Sequence, residues 1–262
     1  MSTPMEIFNR LLAITAAICF LTFAFISSYK SALDSYVIPT KEEIKEITNV
    51  PSSLPQDDQI ALMRSRSSAV QVMSYSETSA DISAMSGTYI RYSGELYVLT
   101  ASHGITAPCE LTQIVADDEL FDCLQFVLRD RHSDYMVMKV EEIINREPVE
   151  LPEEMPNHSE WIEDLAIQST IYYTGYPNRG GPYTFDGRVV SIENSRAFYI
   201  DSYAWSGSSG AGVFSASGNL IGWVVALDIG QTMYGRQVLE NFIWVAPLHQ
   251  VEWPVVWALT DI

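Results

Sequence analysis

At 262 residues and 47% apolar content, the chain can bury one sizeable core or two smaller ones. Its formal charge of −18 argues against nucleic acid as a partner, because phosphates are repelled. His132, His158 and His249 are scattered, and no Cys/His arrangement has zinc spacing, so no metal and no other cofactor is expected.

The first element in chain order is Leu11–Ile26, an uncharged apolar run preceded by Arg10. With Ser27 and Ser28 it approaches the roughly 20 residues that span a bilayer core. Residues 1–29 are read as an uncleaved membrane anchor, with contact to the membrane through residues 11–28; a cleaved signal peptide is the rival. Lys30, Lys41 and Lys45 dilute the positive-inside argument and leave the orientation open. The folded part is expected on the extracytoplasmic side, or secreted if the segment is removed. Residues 30–66 read as a tether. Lys41–Ile47 has the charge pattern of a short helix, and Asn49–Pro55 breaks it.

Beyond the tether the punctuation changes. Leu96–Leu99 reads as a buried strand, and His103 follows where the backbone turns. Cys109 and Cys123, 14 residues apart, flank a run that reads as a hairpin; a disulfide and two free thiols are equally compatible with it. Asp134 opens a strand with Met136, Val137, Met138 and Val140 available for burial. Glu141–Asp164 then carries nine acidic residues against Arg146 alone. That stretch reads as a solvated loop, the sharper alternative being an acidic lip for basic substrates. Short runs at Ile167–Thr174, Phe198–Ile200 and Leu220–Leu227 predict an antiparallel all-β protein. Ser206–Phe214 places serines in a Gly-rich turn just before a strand. Such a turn lets backbone N–H groups face a substrate carbonyl beside a hydroxyl nucleophile. Gln250–Leu259, after Pro247, reads as a short C-terminal helix. The order His, Asp, Ser is one known chain order for base, orienting acid and nucleophile.

These segments resemble the chymotrypsin-like serine peptidases. Thr100-Ala101-Ser102-His103 is similar to the family's T-A-x-H, Asp134–Val140 to its Asp-x-Ala-Val-Leu segment, and Gly207–Phe214 to its G-x-S-G-G-P-V. Gly175-Tyr176-Pro177 with Gly187–Ile192 resembles a hairpin motif of Do-like proteases, and Gly218–Val225 resembles their strand after the serine. The spacings of 31 and 75 residues between His103, Asp134 and Ser209 suit compact bacterial and viral members. The resemblance runs from about Ser67 to Leu248.

It implies a trypsin-like serine protease domain over residues 67–262, built as two packed antiparallel β-barrels with a short C-terminal helix. Too little chain follows Pro247 for a PDZ-type module. It implies a serine endopeptidase acting on polypeptides, with His103, Asp134 and Ser209 catalytic and the backbone N–H groups of Gly207 and Ser209 as the oxyanion hole. Tyr203 falls near the base of the specificity pocket and Val225, Ala226 and Leu227 along its wall. None is acidic, so a medium apolar P1 residue is expected, with Asp228 just beyond the wall. The alternatives are a viral-type processing protease and a catalytically silent binding module of the same fold; the oligomeric state stays open. Departures are Ala211 and Gly212 for the usual Gly-Pro, Met136 for a small alanine, and Ser208 for the aspartate that pairs with a new N-terminus in digestive enzymes. Activation by such a pair is therefore not expected.

Overall fold

The computed structural model describes residues 54–76, 81–159, 161, 165–193, 196–232 and 235–260, by backbone alone over 227–240. The apolar run at 11–28 and the charged stretch Lys41–Ile47 lie outside the described residues. Among the described residues, no helix is long and apolar enough to cross a membrane.

Two closed six-stranded barrels account for most of the chain, as expected. The first contains β1 (Ala69–Tyr75), β2 (Ile82–Tyr92), β3 (Glu95–Ala101), β4 (Thr112–Ala116), β5 (Glu119–Asp130) and β6 (Tyr135–Val140). They run in the order β1-β4-β5-β6-β3-β2 and close through β1–β2. A two-residue strand, β7 (Val149–Glu150), adds in parallel to β2 from the acidic connection. The second barrel contains β8 (Thr170–Gly175), β9 (Tyr183–Glu193), β10 (Ala197–Asp201), β11 (Gly212–Ser215), β12 (Leu220–Thr232) and β13 (Gly235–Pro247). Its order is β10-β13-β12-β11-β8-β9, closed by β9–β10.

Side-chain alternation explains why several strands read as unbroken apolar runs. In β6, Met136 and Met138 fill the first barrel while Tyr135 and Val137 face a separate core between the barrels. In β3, Val98 turns into the barrel while Tyr97 and Leu99 turn to the same separate core. Both faces are buried, so no polar position marks the period. Met136, at the position where the family resemblance leads one to expect a small alanine, therefore packs in the barrel lumen and not against the inter-barrel face. Phe214, Trp223 and Val225 from the second barrel complete the shared core.

The C-terminal helix α2 spans Trp253–Thr260, and Leu248–Gln250 forms a separate 3-10 turn. The helix thus begins three residues after the expected Gln250. Pro254 in its first turn lacks only an N–H that has no intrahelical partner there. Trp253 is fully buried, with ring centroids 5.3 Å from Tyr92 and 6.5 Å from Tyr97. The Tyr97 hydroxyl donates to Thr260 Oγ1 at 3.0 Å, which fastens the helix to the first barrel.

A further helix, α1 (Gln56–Ser68), covers the end of the stretch read as tether, residues 30–66, and runs two residues beyond it. It buries the small residues Ala61, Ser65 and Ser68, and Arg64 donates to the Gly218 carbonyl at 3.0 Å. Ser65 and Thr174 share a hydroxyl bond at 2.7 Å, and Arg66 bonds the Thr184 hydroxyl. The helix docks on the second barrel, and the chain then turns directly into β1 of the first.

Cys109 and Cys123 form a disulfide that joins the turn at Cys109–Leu111 to β5. Arg146, at the start of the inter-barrel connection, makes two 2.6 Å bonds to Asp117, with side chains 7% and 14% exposed. It also donates to the Ala69 carbonyl at 2.8 Å and to the Tyr176 hydroxyl at 3.3 Å. Burial works against the Arg146 charge; the Asp117 bonds and charge, with Tyr176, outweigh it and raise its pKa.

Candidate active site

His103 sits in a 3-10 turn, Ser102–Gly104, that follows β3 directly. Asp134 ends the turn between β5 and β6 with φ +56, a left-handed conformation that aspartate tolerates better than most residues. The bend brings its carboxylate to His103 twice: Oδ1 accepts the His103 backbone N–H at 2.8 Å, and Oδ2 lies 2.6 Å from Nδ1. The bond to Asp134 raises the His103 pKa, partial burial opposes it, and the Asp134 charge adds to the rise. An imidazole so held keeps Nδ1–H toward the acid and leaves Nε2 as the free base.

Ser209 lies on the loop between β10 and β11, half-buried, while Ser208 is buried and Ser206 exposed. The Ser208 side chain accepts the Trp205 N–H at 3.2 Å within its own loop, so the position of the activating aspartate is a neutral internal brace. The Ser209 hydroxyl donates to the Val225 carbonyl at 3.1 Å, and no hydrogen bond joins it to His103. Val225 is the extra residue of a bulge in β12, where the ladder passes from Val224↔Val245 to Ala226↔Trp244.

One buried residue, Ser86 on β2, makes four bonds, and two of them fix this loop against the first barrel. Its N–H donates to the Ser209 carbonyl (3.0 Å) and its hydroxyl to the Gly207 carbonyl (2.7 Å). The same hydroxyl accepts the Tyr176 N–H (2.8 Å), and its carbonyl accepts the Thr100 hydroxyl (2.6 Å). Gly207 has φ +99, and a Cβ there would lie 2.6 Å from the Tyr176 carbonyl. Gly210 has φ +88, and its Cβ would meet the Ser86 carbonyl at 2.1 Å. Glycine is required at both.

Neither the Gly207 nor the Ser209 N–H is engaged by another group among the described residues. The carbonyls of the same two peptides are engaged. Asn178 N–H holds the Ser206 carbonyl at 2.6 Å, and Ala211 N–H holds that of Ser208 at 3.1 Å. Carbonyl and N–H point oppositely in a trans peptide, so both N–H groups face away from the loop's own bonds.

The Ala211-Gly212 departure also has a physical basis. The Ala211 methyl is buried in the second-barrel core. A Cβ at Gly212 would approach Thr88 Oγ1 to 2.5 Å and Leu220 Cδ1 to 2.9 Å, so proline does not fit there.

The remaining expected residues are more dispersed. Tyr203 is 46% exposed, its ring 5.9 Å from Phe185, and its carbonyl accepts the Tyr173 hydroxyl. Val225 is buried, Ala226 is half-buried against the inter-barrel core, and Leu227 pairs with Ile243 in the ladder. Sequence reasoning missed Ser86 and Trp223. Trp223 reaches from β12 to donate its indole N–H to the Asp134 carbonyl at 3.2 Å, its ring edge-on to Tyr135 at 5.8 Å. A serine in a strand carries no sign of such use; the apolar run around Trp223 signalled burial alone. No group of His, Cys, Asp and Glu among the described residues is arranged to hold a metal.

The fold is shared with a protease from M. tuberculosis in its active form, at TM-score 0.52 and 16% identity over 73% of this chain and 80% of that one. It is shared also with a serine endoprotease from Yersinia pestis, at TM-score 0.58 and 18% identity over 78% of this chain and 68% of that one. No curated protein matches the sequence. The family model described as a trypsin-like peptidase domain matches residues 85–222, more than half of the chain, a span that holds both His103 and Ser209. With that match and its two closed barrels, the chain belongs to the trypsin-like serine peptidases.

Proposed function

We propose that the protein is a membrane-tethered serine endopeptidase working through His103, Asp134 and Ser209. The observation that carries this reading is the pair of hydrogen bonds between Asp134 and His103, Oδ1 to the backbone N–H and Oδ2 to the ring. With a peptide bound, the Ser209 hydroxyl leaves the Val225 carbonyl and attacks the substrate carbonyl carbon. Its proton passes to His103 Nε2, and the carbonyl oxygen gains negative charge within reach of the Gly207 and Ser209 N–H groups. The imidazolium then gives that proton to the leaving amine, and water releases the acyl group by the same steps.

The specificity reading stays apolar: Val225, Ala226 and Leu227, read as the wall, and Tyr203, read as the base, bring no carboxylate. Tethering through residues 11–28 rests on their uncharged apolar run, and an extracytoplasmic place for the domain is supported by the disulfide, since such bonds persist in oxidising compartments. The test is labelling of the full chain with a fluorophosphonate probe, followed by peptide hydrolysis. Ser209→Ala is expected to abolish labelling and to lower hydrolysis by roughly 10⁶-fold. Labelling that persists in Ser209→Ala overturns the assignment. A silent binding module is the second reading, favoured by the Ser209 hydroxyl being turned to Val225. It predicts no labelling of the parent chain.

A further inference from the structure

Arg129 lies on β5, opposite Met136 in the ladder, and five residues before Asp134 in the same hairpin. Its backbone belongs to the element that carries the acid. Its guanidinium belongs to the turn that carries the base. Nε donates to Ser102 Oγ at 2.8 Å, and Nη2 donates to the Ser102 carbonyl at 2.9 Å and the Ile105 carbonyl at 3.2 Å. These acceptors flank His103 on both sides along the chain.

We propose that Arg129 is a positioning residue for the proposed reaction: it locks the Ser102–Ile105 turn onto the β5–β6 hairpin and so fixes His103 relative to Asp134. The inference rests on the reading of His103 as the base. The direct contacts between turn and hairpin are the two His103–Asp134 bonds and the Ser102 N–H to the Asp134 carbonyl, at 3.2 Å. All three converge on one residue, Asp134, and act as a single pivot. Arg129 adds a second point of attachment, one ladder position beyond the Asp130–Tyr135 pair that opens the hairpin, which stops rotation of the turn about Asp134. A planar guanidinium has the donors for three acceptors at fixed angles; an ammonium lacks that fork. On its other side the turn meets Met85 and Ser83 of β2, which surround the position of a Gly104 Cβ and offer no charge. The charged groups near the guanidinium are Asp134, which favours its charge, and Arg131, which opposes it.

A small rotation of a catalytic base is costly: misplacement on the scale of 1 Å removes about 10²-fold in rate. The test uses the full chain and a fluorophosphonate probe, with the maximal labelling rate and the probe affinity measured separately. Arg129→Gln is expected to lower the maximal rate by about 10- to 100-fold, with affinity changed by less than about twofold. Arg129→Lys should recover only part of the loss. Because Arg129 is exposed at the surface, added methylguanidinium should restore Arg129→Ala several-fold, a rescue that general destabilisation does not permit. The downfield proton signal of His103 Nδ1–H should broaden in Arg129→Gln. Parental labelling by Arg129→Gln with that signal unchanged overturns the proposal, as does a loss that methylguanidinium leaves untouched. Both outcomes differ from failure of the underlying reading, in which the parent is unlabelled or Ser209→Ala is labelled equally.

Discussion

The Trp223 indole donates to the Asp134 carbonyl across the barrel interface, so the second barrel holds the backbone of the residue that orients His103 in the first. Trp223→Phe keeps the buried ring and removes only that donor. The Asp134 carbonyl retains the Ser102 N–H, so the loss is a single bond, about 1 kcal/mol by denaturant unfolding. Activity is expected to fall several-fold, visible as a lower turnover with unchanged KM.

The pH dependence has a defined sign. The proposed reaction needs neutral His103, and Asp134 raises the His103 pKa above its ordinary 6.5. Activity should therefore rise with pH through a midpoint above 6.5. Asp134→Asn should move that midpoint down and lower turnover by roughly 10⁴-fold. The linkage to stability runs the other way. A raised folded pKa contributes stability that is full below 6.5 and lost as pH rises through the folded value. His103 is half-exposed, so this contribution is small beside the effect on rate. Parallel pH profiles of labelling and of melting temperature would separate the two.

Gly210→Ala tests the docking of the Ser209 loop on Ser86. A methyl there meets a carbonyl at 2.1 Å and a hydroxyl at 2.3 Å, from a backbone with φ +88. Strain and overpacking together predict a loss of about 3 kcal/mol or more. The expected result is a lower melting temperature together with loss of probe labelling. Ala211→Gly, one residue on, removes only a buried methyl and should retain labelling.

Asp117→Ala would leave Arg146 a nearly buried cation without its counter-ion. The expected loss is about 3–5 kcal/mol in chemical denaturation. Pairing it with Arg146→Met should recover much of that, because an apolar side chain needs no partner.

The pairing of His103 with Asp134 is legible in the sequence because the proposed roles demand one residue type each, at the end of a recognisable strand. The barrels are legible through short apolar runs separated by turn residues. Helix α1 is not. Its buried face is Ala61, Ser65 and Ser68, small residues that pack closely without an apolar period. The close fit depends on Gly218, where a Cβ would lie 2.9 Å from Ile60 Cγ2. Ser86 is equally silent, since four bonds spread over residues far apart in the chain leave no local pattern. Arg129 looks like any solvated charge on a strand, because the carbonyls it holds become its neighbours only through the β3–β6 pairing.

Helix α1 also decides how the domain bears load. A pull arriving from the N-terminal side reaches the bonds to Gly218, Thr174 and Thr184 before it reaches β1. These anchor points sit on the second barrel, whereas β1 closes the first. The β1–β2 register that sets Ser86 beneath the Ser209 loop is thus mechanically insulated from tension in the preceding chain. Force would have to strip the helix from its seat before the hairpin under Ser209 felt any tension.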